Sequence, residues 1–301
     1  MTSTQAPVVS VIINCFNGAR FLRETLESVR AQTFGDWELV FWDNQSTDGT
    51  ASILKSFDDA RFRYFLAPEH TNLAAAKKLA IAQARGEWLA FLDADDLWLE
   101  HKLASQIAAV GGGDPATGLV YGEMRVLVEP EAADGDLARS ALAAQRANTG
   151  RIRPSGWILS ALLKENFIAQ PSMIIRRSVY EAAGGVDPNL RYAWDYDIAL
   201  KAARLAPAIF VPGVNCVYRI HGGNLTQTQR ALGFEETIEL VSSYLPLPAA
   251  RAGVKSYQSQ YAGSEIRGGK LFAGLGRLMR HGDPLVFARM LVQYICRRIA
   301  A

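Results

Sequence analysis

Four times within the first hundred residues the chain passes from a short apolar run into a stretch of helical spacing, and few folds accept that alternation. Val8-Val-Ser-Val-Ile-Ile-Asn14 is rich in β-branched residues and free of charge, as a strand buried on both faces requires. Phe16-Asn17-Gly18 turns the chain, and Phe21, Leu22, Leu26 and Val29 then recur at helical spacing over residues 19–32. Trp37-Glu-Leu-Val-Phe-Trp-Asp43 reads as a second strand that ends on an acid. The turn that follows, Asn44 to Thr50, offers Thr47 or Asp48 as the cap of a helix over residues 50–57. Arg63-Tyr-Phe-Leu66 makes a third strand, and the alanine-rich run from Leu73 to Ala84 a third helix, closed by Arg85-Gly86-Glu87. Such repeated βαβ units build a parallel, doubly wound sheet.

The fourth strand carries the chemistry. Trp88-Leu-Ala-Phe-Leu runs straight into Asp93, Asp95 and Asp96, and open α/β sheets bind ligands at the carboxyl ends of their strands. Three like charges this close repel unless a cation or a proton sits among them. A hard divalent metal, held by protein oxygens and substrate phosphates, answers that repulsion. The competing reading is a solvated acidic loop in which Asp96 caps the next helix.

Beyond residue 100 the pattern is less regular. Glu100 to Val110 reads as a helix, and Leu119–Tyr121 with Met124–Val128 as two short strands, paired as a hairpin over the site. Residues 129–150 show no clear period and read as a variable loop. A helix over 155–164, a strand over 171–176 and a helix over 178–183 follow. Asp195 to Ala206 is helical, Ile209–Val211 and Asn215–Arg219 are strands, and His221-Gly-Gly-Asn224 is a loop. From about residue 230 the chain reads as helices, so the expected division is a nucleotide-binding and catalytic domain over 1–226 and a helical extension over 227–301.

Composition decides the compartment and the partners. Cys15, Cys216 and Cys296 lie far apart in a chain of 301 residues, which argues for a reducing compartment and against a disulfide framework or a zinc site. The first residues lack the charged and apolar regions of a signal peptide, and no apolar stretch approaches the roughly 18–20 residues of a spanning helix, so a cytoplasmic protein is expected. Residues 251–301 carry nine basic and two acidic side chains, a net +7, whereas the rest carries 23 and 28, a net −5. A basic tail on an acidic body points to an anionic surface, and nothing points to nucleic acid. Over Leu278 to Ile299, the residues Leu285, Val286, Met290, Leu291, Tyr294 and Ile295 fall near one helical face punctuated by Arg280, Arg289, Arg297 and Arg298. That helix either lies peripherally on anionic lipid at the inner face of the plasma membrane, the favoured reading, or packs on protein.

Ser10-Val-Ile-Ile-Asn-Cys-Phe-Asn17-Gly18, Trp42-Asp43-Asn-Gln-Ser-Thr-Asp48-Gly-Thr50, Gly86-Glu-Trp-Leu-Ala-Phe-Leu-Asp93-Ala-Asp95-Asp96 and Tyr218-Arg-Ile-His221 occur in that order. Together they resemble the successive motifs of the family-2 inverting glycosyltransferases, over about residues 8–226. The resemblance implies the GT-A fold: a Rossmann-like, mostly parallel sheet flanked by helices, here with a helical C-terminal extension. It implies transfer of a sugar from a nucleotide diphosphate donor with Mn2+ or Mg2+. On the family pattern Asp95 is the direct metal ligand, Asp93 contacts the ribose or the metal through water, and Asp96 sits near the donor sugar. Asp43 becomes the nucleobase acceptor, or else only caps its turn. Phe16, beside Asn17 at the first strand's end, either flanks the base or joins the core. Lys77 and Lys78 stand where the family often carries Arg-Asn, so Lys77 either reaches the nucleotide or lies on a solvated face.

Inversion also needs a general base for the attacking hydroxyl. The family supplies it from a Glu-Asp pair that opens a helix, and the matching residues are Trp194-Asp195. Asp195 is then the base, or simply an N-cap, and Trp194 replaces the usual acid, either stacking on a sugar or packing. His221 is a candidate metal or diphosphate ligand, and Arg219 a candidate phosphate contact. Asn14 and Asn44 also depart from the pattern, at a common proline and a second acid.

The expected activity is metal-dependent transfer from a UDP-sugar to a hydroxyl of a lipid-linked or surface-polysaccharide acceptor. The alternative is a non-catalytic nucleotide-sugar-binding scaffold of a glycan-assembly complex. A haloacid-dehalogenase-like phosphatase would carry its Asp-x-Asp on the first strand with Thr or Val in place of Leu97, and a sugar-nucleotide pyrophosphorylase would need a glycine-rich loop where Asn14–Gly18 stands.

Overall fold

The computed structural model describes residues 6–148 and 150–281, with Val286 and Ala288. Its strands are β1 (Val9–Cys15), β2 (Trp37–Asp43), β3 (Phe62–Leu66), β4 (Trp88–Phe91), β5 (Leu97–Trp98), β6 (Leu119–Val128), β7 (Ile174–Arg176) and β8 (Ala208–Ile220). The helices of the first part are α1 (Ala19–Arg30), α2 (Thr50–Lys55), α3 (Leu73–Ile81), α4 (Lys102–Gly111) and α5 (Asp136–Asn148). Then come α6 (Leu159–Lys164), α7 (Arg177–Ala182), α8 (Trp194–Leu205), α9 (Leu225–Thr228), α10 (Arg230–Ser242), α11 (Pro248–Arg267) and α12 (Leu271–His281).

All eight strands form one sheet in the order β3-β2-β1-β4-β7-β6-β8-β5. The β3-β2-β1-β4 half is parallel, so its carboxyl ends share one edge. Every residue of β1, β2 and β4 is buried, which is why these strands read as unbroken apolar runs. Phe21, Leu22, Leu26 and Val29 bury one face of α1 against this half. The turn from α3 into β4 needs Gly86, because a Cβ there would meet the Ser10 nitrogen at 2.5 Å and the Val9 carbonyl carbon at 2.7 Å.

The other half of the sheet is mixed. β7 runs antiparallel to β4 and β6, β5 antiparallel to β8, and β6 parallel to β8. Leu119–Val128 is therefore one strand with register shifts at Gly122/Glu123 and Glu123/Met124, not a hairpin, and residues 208–220 are likewise one strand. Residues 130–148 also differ from the expected loop: a short 3-10 turn leads into α5, where Ala138 and Ala132 pack on Ile220 of β8. Alanine is a strong helix former, and Leu137 and Ala141 join this small cluster, with Val126, Val128 and Tyr218 from the sheet.

The chain divides into two compact units, residues 1–159 with 167–228, and residues 160–166 with 229–301. In the second unit Tyr257 Oη accepts the Asn166 N–H at 2.7 Å, Phe234 stacks on Tyr261 with centroids 5.1 Å apart, and Leu278 is buried. Most of the amphipathic helix expected over 278–299, including Leu285, Met290, Leu291, Tyr294 and Ile295 with Arg289, Arg297 and Arg298, lies outside the described residues. Among the described residues no helix is long and apolar enough to cross a membrane.

Candidate active site

Parallel register brings the loop-borne residues together. Cys15 pairs with Asp43 and Asp43 with Leu66, while the Leu92 N–H bonds to the Ile12 carbonyl, so Phe16, Asn17, Asp43 and Asp93 all follow the same edge of the sheet. Asp43 is buried, and its carboxylate accepts the Ser46 N–H and the Tyr64 hydroxyl, each at 2.8 Å. Burial, with that bond to Asp43, pushes the Tyr64 phenol up to about 12, so it stays a donor. Phe16 is 52% exposed and stands against His70, centroids 4.4 Å apart, and so does not belong to the core. Asn17 takes a left-handed φ of 54°, and its Oδ1 accepts the Thr47 N–H at 2.8 Å, which ties the first loop to the second. Asp48 accepts the first N–H of both α1 and α2, from Ala19 and Thr50, each at 3.0 Å.

The three acids after β4 separate into three environments. Asp93 keeps 43% side-chain exposure, and its Oδ1 meets Lys77 Nζ at 3.2 Å and Gln170 Nε2 at 3.3 Å. Lys77 itself is fully buried, so its side chain is not on a solvated helix face. Its ammonium lies 5.2 Å from the Trp194 ring, and Trp194 is buried edge-on to Phe91 at 5.5 Å. Trp194 therefore packs behind Lys77 as a cation–π partner. Asp95 faces His221, Oδ2 to Nε2 at 2.9 Å. Asp96 is buried and accepts the Arg219 N–H at 2.9 Å. Burial first, then the charges of Asp95 and Asp93, hold the Asp96 carboxyl well above the usual carboxylate range; partial loss of hydration and the charge of Asp95 raise the half-exposed Asp93 as well, against the pull of Lys77.

Two expectations change at this point. Asp96 does not face a donor sugar, because its carboxylate is turned onto backbone. Arg219 is no free phosphate contact: its guanidinium donates to the Asp95 carbonyl at 2.9 Å, to Glu24 at 2.7 Å and to Glu129, with Phe21 packed 4.5 Å from it. It braces the acidic loop instead.

Asp195 opens α8 and is half-buried. Burial pushes its carboxyl up to about 6, the nearby Asp93 charge adding to the rise and the Tyr196 N–H and Lys77 opposing it. That value suits a group that must take a proton near neutral pH. Asp197 pairs with Lys201 at 2.5 Å. Tyr64, His70, Gln170 and the seat of Trp194 under Lys77 were not legible as site features, since no sequence spacing links them to Asp43, Phe16 or Asp93.

A divalent cation can be tested against this donor set. Among the described residues no cluster of three or more His, Cys, Asp or Glu side chains is placed to hold an ion. Cations of the Mg2+ type, however, take one or two carboxylates and complete their shell with water and substrate phosphates. The partly exposed Asp95 and Asp93 fit that open arrangement. His221 fits it less well than the sequence suggests. Its Nδ1 accepts the Gly223 N–H at 3.1 Å, so in the neutral ring the proton sits on Nε2 and is donated to Asp95. His221 thus orients Asp95 and does not offer the metal a lone pair.

The mixed sheet whose parallel half ends in this acidic edge has the fold of the GT-A glycosyltransferases, and solved structures of that fold superpose on it. The mannosyltransferase PcManGT of Pyrobaculum calidifontis, in complex with GDP-Man and Mn2+, aligns with a TM-score of 0.66 at 21% identity, covering 97% of this chain and 81% of that one. S. aureus TarS 1-349 in complex with UDP-GlcNAc gives 0.64 at 16% identity, covering 92% and 82%. Residues 10–149 match the model of Glycosyl transferase family 2.

Relatives by sequence include an uncharacterized glycosyltransferase of Rickettsia typhi, 26% identical over 226 residues that cover 75% of this chain and 68% of the relative. The putative teichuronic acid biosynthesis glycosyltransferase TuaG of Bacillus subtilis is 37% identical over 103 residues, 34% of this chain and 41% of the relative. The UDP-Glc:alpha-D-GlcNAc-diphosphoundecaprenol beta-1,3-glucosyltransferase WfgD of Escherichia coli is 34% identical over 101 residues, 34% and 40%. The last two alignments span well under half of those relatives.

Proposed function

We propose that the chain transfers a sugar with inversion from a UDP-sugar to a hydroxyl of a lipid-linked acceptor in polysaccharide biosynthesis, at the inner face of the plasma membrane. What supports the reading is the place of Asp195, in the first turn of α8 and near enough to Asp93 and Lys77 to feel both charges, where burial pushes its carboxyl up to about 6. The name of WfgD, with its UDP-Glc donor and diphosphoundecaprenol-linked acceptor, supports the choice of substrates.

In this mechanism Asp195 takes the proton of the acceptor hydroxyl as its oxygen attacks the anomeric carbon. The bond from that carbon to the diphosphate oxygen breaks on the opposite face, and UDP leaves with the electron pair. Mg2+ or Mn2+, when held by Asp95 with Asp93, supplies neutralisation of the departing diphosphate. His221 and Arg219 keep Asp95 in place, one through its carboxylate and the other through its carbonyl. Phe16 and His70 wall the base, with Asp43 accepting from it behind them. Lys77, which has no solvent exposure, keeps a positive charge beside Asp93 where the ribose and diphosphate lie.

The test supplies UDP-sugars with a diphosphate-lipid-linked saccharide and follows UDP release and the anomeric configuration of the product. Wild-type protein yields an inverted glycoside, and Asp195→Asn binds UDP without transfer. Full activity in Asp195→Asn removes the base from the mechanism.

A further inference from the structure

The second unit holds a groove lined by none of the residues assigned to the candidate active site. Helices α10 and α11 lie side by side and antiparallel: Val241 approaches Gly253, and Phe234 stacks on Tyr261. A groove of about 660 Å³ follows them, lined by Arg230, Phe234, Lys255, Ser256, Ser259 and Arg267 among others. The α11 members recur at intervals of three and four residues and so share one helical face. Arg230 and Arg267, at the first position of α10 and the last of α11, fall at the same end of the antiparallel pair.

Charge in the groove is one-sided. No carboxylate lines it among the described residues. Arg230 and Arg267 have no ion-pair partner among the described residues, and Arg267 is exposed. The neighbouring acids are occupied elsewhere: Glu235 accepts the Tyr261 hydroxyl at 2.9 Å, and Glu265 is held by Arg277 at 2.9 Å. Unpaired guanidiniums at a groove mouth bind phosphate oxygens well, because their planar forks donate in pairs. The Phe234 ring and the Ser256 and Ser259 hydroxyls beside them suit a ligand that is anionic at one end and greasy beyond it. The net +7 of residues 251–301 adds a long-range pull in the same direction.

We propose that this groove seats the phosphate headgroup of an anionic membrane lipid and docks the helical unit on a bilayer. The proposal rests on the reading that the acceptor is presented at a membrane, but not on the donor chemistry.

The test is co-sedimentation of the full chain with phosphatidylcholine vesicles that contain or lack phosphatidylglycerol. Wild-type protein partitions onto the anionic vesicles only. Arg230→Gln and Arg267→Gln each lower that partition about fivefold, and the pair about 25-fold, the loss expected for one basic contact each at a charged surface. Arg267→Lys, which keeps the charge and loses the fork, recovers only part of the binding, and Arg251→Gln, on α11 outside the groove, changes it little. The same preparations are titrated with UDP and Mn2+, which reports folding and the donor site separately. No binding of wild type to anionic vesicles, or an equal fall with Arg251→Gln, overturns the proposal. So does stabilisation by inorganic phosphate, lost in Arg230→Gln, in a protein that ignores vesicles, since the groove then takes a free anion. Vesicle binding that persists while UDP binding fails strikes the proposed function and leaves the groove standing.

Discussion

Lys77 separates a donor-site charge from a structural prop. Its ammonium lies 3.2 Å from Asp93 and 5.2 Å from the Trp194 ring, with no solvent exposure of its own. At an effective dielectric of about 20 the ion pair attracts by roughly 5 kcal/mol, and screening of the half-exposed Asp93 reduces this to about 2–3. The cation–π contact contributes about 1–2 kcal/mol. Taking the ammonium out of water costs several kcal/mol, so the charge contributes little net stability. Lys77→Met keeps the volume and removes the charge, and it should alter unfolding free energy by no more than about 2 kcal/mol. Lys77→Ala empties the site as well and should cost about 2–5 kcal/mol. Affinity is expected to move differently. Both variants should bind UDP at least about tenfold more weakly, because the positive charge beside Asp93 is gone in each. Urea denaturation measures the first quantity and isothermal titration of UDP with Mn2+ the second. If Lys77→Met unfolds easily yet binds UDP as wild type does, the residue holds the fold and the donor-site argument fails.

Other substitutions probe the rest of the edge. Asp195→Asn should keep UDP affinity and lower transfer by about 10²–10⁴-fold, read as product formed under saturating donor. The base works only when ionised, so kcat/KM of the wild type should hold above about pH 6 and fall tenfold per unit below it; a flat profile down to pH 5 contradicts the assignment. Arg219→Lys loses the fork that joins Glu24, Glu129 and the Asp95 carbonyl and should cost about 2–4 kcal/mol in urea, a larger loss than any change in nucleobase preference. Trp194→Leu should weaken UDP binding as Lys77→Met does, whereas Trp194→Phe, which keeps an aromatic face, should restore most of it.

The parallel half of the fold was readable because three of its four strands, β1, β2 and β4, are buried throughout and α1 presents one apolar face. Position alone then aligned Asp43 and Asp93 on one edge of the sheet. The remainder depended on distant partners. Nothing local marks Leu119–Val128 as the parallel neighbour of a strand that begins at Ala208, and α5 has too weak a period to separate it from a loop. Arg219 looked like a phosphate ligand because its acceptors lie 195 and 90 residues away, at Glu24 and Glu129. Asp96 looked like a donor contact because sequence spacing cannot tell a side chain turned inward from one turned outward. At Trp194 the sequence recorded a departure from the family pattern, and only the cation beneath it gives that departure a physical sense.

Metal-dependent recognition of a UDP-sugar by the edge that carries Asp93 and Asp95 can be read from thermal unfolding with UDP, GDP and dTDP sugars, each with and without Mn2+. A ligand present at about a hundred times its Kd stabilises by about 2.7 kcal/mol. A clear rise in Tm is expected with a UDP-sugar and Mn2+ together, little with either alone, and none in Asp95→Asn. A rise with the UDP-sugar that is the same without metal, or that survives Asp95→Asn, contradicts it.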